Sequence, residues 1–77
     1  MSNKEKILAR FAAHLTKLRQ EKGLSIHQLA AAAGLEYSQV QRIEKGKVNL
    51  AFTTLVALAQ GLDIDLNVLL TEYKIPR

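Results

Sequence analysis

A chain of 77 residues that is 48% hydrophobic makes one small domain, near the lower size at which a core supports itself, with no room for a second. It has no cysteine, which excludes disulfides and thiolate metal sites, and no stretch near the ~20 apolar residues that a membrane span needs. The 11 Lys and Arg against 7 Asp and Glu give a net charge of +4, a basic excess that fits a polyanion partner without requiring one.

The opening "MSNKEKILARFAAHL" lacks the apolar core of a signal peptide, so the expectation is a soluble, cytoplasmic protein with a single domain over residues 1–77. Apolar residues recur at steps of three and four, and no run alternates with period two. The pattern predicts an all-α fold of five helices, over about residues 4–22, 26–33, 37–45, 52–60 and 66–71.

Ile7, Leu8, Phe11, Leu15 and Leu18 form the stripe of the first helix, with His14 at its edge and Gly23 as its stop. "SIHQLAAAAG" opens the second: Ser25 and Gln28 have capping-box spacing, and Gly34 ends it. The alanine run lets a neighbouring helix approach closely. Leu35 is expected to point inward from the turn. The third helix has Glu36 at its N-cap, a narrow seam of Val40 and Ile43, and Gly46 as its close. "TTLVALAQG" predicts a fourth helix ended by Gly61, and Asp65 is expected to cap a fifth carrying Leu66, Leu69 and Leu70. Pro76 falls in a tail expected to fray.

Two short helices joined by a glycine-containing turn, the second with a narrow seam, make a helix-turn-helix pattern. A narrow seam leaves Tyr37, Ser38, Gln39, Gln41 and Arg42 outward, and these side chains have the chemistry to read base edges in a DNA major groove. Lys45 and Lys47 at the far end can meet phosphates.

The segment "LRQEKGLSIHQLAAAAGLEYSQVQRIEKGKVNLAFTTLVALAQGLDIDLNVLL" resembles the Cro and phage-repressor class of helix-turn-helix domains, the xenobiotic-response-element type. The marks are the "LR-x-x-KG-x-S" start, Gln28-Leu29-Ala30, Ala33-Gly34-Leu35, "RIEKGK" and the closing "LVALAQGLDIDLNVLL". The resemblance implies a compact five-helix, lambda-repressor-like domain, usually a homodimer on an inverted repeat whose half-sites lie about 34 Å apart. It assigns Tyr37, Ser38 and Arg42 to base edges, flanked by Gln39 and Gln41. It assigns Ser25, Ile26 and His27 to the phosphate backbone, with Asn49 beside Lys45 and Lys47. It also places an arginine of the first helix, Arg19, near Glu44.

Four positions depart from the family pattern. Glu36 replaces a frequent Ser or Thr, Ile26 a frequent polar contact, Leu50 a frequent Pro and Ala51 a frequent capping Ser. Val40, Ile43, Leu29 and Leu35 read as core, and Tyr37 has the alternative of packing its ring over the turn. The two histidines have no ligand spacing, no catalytic constellation is visible, and neither a metal, a cofactor nor an enzyme activity is expected.

Two functional readings follow. The first is a sequence-specific regulator of double-stranded DNA, a repressor acting as a homodimer. Its symmetric contact is expected to come from Ile64, Leu66, Leu69, Leu70, Tyr73 and Ile75. The second is a protein-interaction module, such as an antitoxin or a regulator's partner, with weak or auxiliary DNA binding. Ile26 and Glu36 favour that second reading slightly.

Overall fold

The computed structural model describes residues 3–70, which form five helices and no strand: α1 Asn3–Glu21, α2 Ile26–Ala33, α3 Tyr37–Glu44, α4 Phe52–Gly61 and α5 Leu66–Leu70. Tyr73, Ile75 and Pro76, with the rest of the expected tail, lie outside the described residues. Among the described residues no helix is long and apolar enough to cross a membrane.

The local signals act where the sequence places them. Ser25 Oγ accepts from the Gln28 backbone N–H at 3.0 Å while Gln28 Oε1 accepts from the Ser25 N–H at 2.8 Å, completing the capping box of α2. Glu36 is the N-cap of α3 and Ala51 that of α4, and neither makes a side-chain capping bond. The first four helices close with a common pattern, a backbone N–H reaching a carbonyl five residues back: Leu24 to Arg19, Leu35 to Ala30, Lys47 to Arg42 and Ile64 to Ala59.

The close of α4 corrects one expectation. The helix does end at Gly61, its last residue, but Gly61 is not the left-handed residue of the stop; that residue is Asp63, at φ 57°. Gly61 is there for space: a Cβ on it would stand 2.9 Å from the Ala33 Cβ and 3.0 Å from the Ala33 nitrogen. The alanines of α2 and the glycine of α4 together let the two backbones meet.

The core unites Phe11 and Leu15 of α1, Leu29 and Ala30 of α2, Val40 and Ile43 of α3, Leu58 and Ala59 of α4, Leu62 after it, and Leu69 of α5. α2 packs on both α3 and α4, α1 on α3, and α5 on α4. Leu35 packs partly against this core from the turn. A second correction falls on α5: Leu69 is 0% exposed, so it belongs to the monomer's core and leaves the proposed partner surface. Ile64 and Leu66 pack against the core and are half-buried, while Val68 and Leu70 remain 41% exposed.

Candidate nucleic-acid interface

Only two side chains of α3, Val40 and Ile43, are fully enclosed. At roughly 1.5–3 kcal/mol each, this seam is a modest attachment for an eight-residue helix. A polar clamp adds to it. Arg19 Nε donates to Glu44 Oε2 at 2.7 Å and Nη2 donates to Oε1 at 3.0 Å, while Thr16 Oγ1 donates to the same Oε1 at 2.9 Å. Arg19 Nη1 donates to the Leu24 carbonyl at 2.8 Å, tying in the turn before α2. The pair is largely out of water, with side chains 12% and 7% exposed. Hydrogen bonding to Glu44 raises the Arg19 pKa above its ordinary value, outweighing the opposing effect of burial.

With its inner side so occupied, α3 turns Tyr37, Ser38 and Arg42 to solvent, whereas Gln39 and Gln41 are half-buried at the flanks. No ion pair or hydrogen bond holds the Arg42 guanidinium among the described residues, so its five donors are available in a fork suited to a guanine edge. Lys45 caps the C-terminal end of α3, and Lys45, Lys47 and Asn49 are exposed beyond it.

At the other end of the motif, Ser25 and His27 are exposed at the start of α2, and the Ser25 hydroxyl is engaged in the capping box. Ile26 instead packs partly against the core, so its side chain is withdrawn from the exposed start of α2. Neither Tyr37 nor His27 stands alone: their rings stack with centroids 3.9 Å apart and planes 18° from parallel. The stack joins the first turns of α2 and α3. Tyr37 thus packs its ring on His27 and stays 37% exposed.

The sequence reading did not single out this stack, nor Phe52, which is 67% exposed at the first position of α4. Phe52 has the helical phase of Leu55, Val56 and Ala59, so periodicity alone sends it inward. Its exposure at the helix start has no sequence signal. Among the described residues, no group of three or more His, Asp or Glu is gathered that could hold a metal ion.

The family model for HTH_3, helix-turn-helix, matches residues 15–69. No curated protein sequence matches the chain. Among solved structures, the chain is similar to the restriction-modification controller protein C.AhdI from Aeromonas hydrophila, with a TM-score of 0.78 and 39% identity over 80% of this chain and 94% of that one. It is also similar to the wild-type restriction-modification controller protein C.Esp1396I, at TM-score 0.77 and 27% identity over 82% of this chain and 83% of that one. An HTH_3 family transcriptional regulator from Vibrio cholerae matches at TM-score 0.81 and 25% identity, over 87% of this chain but 38% of that longer one.

Proposed function

Because the chain belongs to the HTH_3 helix-turn-helix family of DNA-binding transcription regulators, we propose that it reads a specific duplex sequence by inserting α3 into the major groove. The observation that carries this reading is the outer face of α3, where Tyr37, Ser38 and Arg42 stand exposed on a helix clamped from behind by Arg19 and Glu44. Gln39 and Gln41 flank them at the edges of the same face. Ser25, the Ile26 N–H and His27 on one side, with Lys45, Lys47 and Asn49 on the other, are suited to grip the two phosphate walls.

The active form in this reading is a homodimer on an inverted repeat, a single domain per subunit, acting as a repressor by occupancy. Support for the dimer comes from Val68 and Leu70, which keep apolar surface in water beside the half-buried Ile64 and Leu66. Tyr73 and Ile75, which the sequence also assigns to the dimer contact, lie outside the described residues. The likeness to two restriction-modification controller proteins supports a narrower setting, control of the expression of a restriction and modification gene set.

The alternative, a protein-interaction module, draws on Ile26 and Glu36; the Ile26 side chain packs against the core instead of forming a free apolar contact, while Glu36 stays exposed at the N-cap of α3. The deciding experiment is selection of bound duplexes from a random-sequence library at near-physiological salt. An enriched inverted repeat, found beside restriction or modification genes, is the expected result. A folded protein that enriches nothing overturns the reading and turns the search to a protein partner.

A further inference from the structure

Behind the far end of α3 the chain leaves the helix through Gly46, whose backbone rests on α1: a Cβ there would lie 3.3 Å from Ala9 Cα and 3.6 Å from the Leu8 carbonyl oxygen. This contact sets the second turn of α1 beside the loop after α3, with Lys4 and Glu5 about one turn before it. Lys4, Lys45 and Lys47 consequently line one open cleft of about 500 Å³, together with Glu5, its one acidic residue, and Leu8, Ala9 and Gly46. All three lysines are exposed, and no ion pair or hydrogen bond among the described residues ties their ammonium groups. Three mobile cations held around one concavity, against a single carboxylate, suit a phosphate group.

We propose that Lys4, Lys45 and Lys47 form one phosphate-binding cleft that takes the DNA backbone at the edge of the sequence read by α3. The inference rests on the DNA-binding reading above and adds α1 to the interface. An eight-residue helix is about 12 Å long, and the major groove is about 12 Å wide, so the end of α3 meets the sugar-phosphate wall. Lys45 and Lys47 emerge at that wall. Lys4 reaches it from a different helix and extends the grip along the backbone.

The test is the salt dependence of affinity for a mixed-sequence duplex, compared among the wild type, Lys4→Gln, Lys47→Gln and Lys6→Gln, the last removing an exposed charge of α1 that does not line the cleft. Each lost phosphate contact makes the log-log slope shallower by about 0.9, so a fourfold rise in salt costs about threefold less affinity. Lys4→Gln and Lys47→Gln are expected to show this change, and Lys6→Gln the wild-type slope. A wild-type slope for Lys4→Gln while Lys47→Gln is shallower, or equal changes for Lys4→Gln and Lys6→Gln, overturns the cleft and leaves DNA binding intact. No salt-dependent binding by the wild type to any duplex overturns the DNA reading itself. Saturable binding of inorganic phosphate at Lys4 with an unchanged duplex slope makes the cleft a free-anion site and overturns its assignment to the backbone.

Discussion

Arg19 and Glu44, 25 residues apart in sequence, meet through two hydrogen bonds, at 2.7 and 3.0 Å, and so lock the last residue of α3 to the body of α1. Each partner has little access to water if the other is removed. Glu44→Ala leaves a largely enclosed guanidinium without a counter-charge, its remaining partner the Leu24 carbonyl, and is expected to cost roughly 3 kcal/mol. In a domain of this size that lowers the melting temperature by about 15 °C, read by circular dichroism. A loss no larger than that of an exposed substitution such as Glu21→Ala would show that the pair is ornamental.

The pH dependence of the same clamp follows from its sign. A guanidinium whose folded pKa is raised contributes stability that is complete below its ordinary, unfolded value and fades only as pH climbs through the raised one. From the arginine's side, the stability gap between wild type and Glu44→Ala should therefore stay level from neutral to mildly alkaline pH. A gap that closes over that interval in denaturant titrations contradicts the assignment.

Gly61→Ala pits helix propensity against packing. Alanine gains about 1 kcal/mol over glycine in a helix, but its methyl would press on the Ala33 backbone nitrogen at 3.0 Å, and overpacking costs about 1–3 kcal/mol. Backbone cannot rotate aside as a side chain can, so packing should win and the urea midpoint should fall. Combining the change with Ala33→Gly removes the Cβ clash and should restore part of the loss.

Asp63 occupies the left-handed region at φ 57°, where a Cβ is penalised but an Asp side chain is tolerated better than most. Asp63→Gly is expected to be more stable than Asp63→Ala by about 1 kcal/mol in equilibrium unfolding. Equal stability of the two variants would mean that the turn relaxes freely.

On the reading face, Arg42→Ala should weaken binding to the selected operator by about 1–3 kcal/mol and relax preference at one position. His27→Ala should act on a different position through Tyr37, by about 0.5–1.5 kcal/mol, because the stacked ring loses its support. A double substitution of His27 and Tyr37 distinguishes the two routes: its effect should be less than the sum of the single ones. Additive losses would show that the rings bind DNA independently.

Signals contained in a few consecutive residues were legible in the sequence. The Ser25–Gln28 box, the starts of α2 and α3 and the Val40–Ile43 seam depend only on local spacing, and the structure places them as expected. The nearness of Arg19 to Glu44 followed from family likeness, since no local spacing relates them. What escaped depends on the angles between helices. Gly61 reads as a stop until Ala33 is brought against it, and Leu69 looks like a surface residue until α5 is laid on α4. The His27–Tyr37 stack likewise exists only because the turn sets the first turns of two helices side by side.

The narrow attachment of α3 separates two kinds of evolutionary constraint. Val40, Ile43 and Glu44 answer to folding and Tyr37 is tied to α2 by its stack on His27, while Ser38 and Arg42 are exposed and make no contact that the fold requires. Under the proposed DNA-binding reading, exchanges at Ser38 and Arg42 should change the preferred sequence at little cost in stability. A combinatorial library confined to Ser38 and Arg42 should therefore yield mostly folded variants.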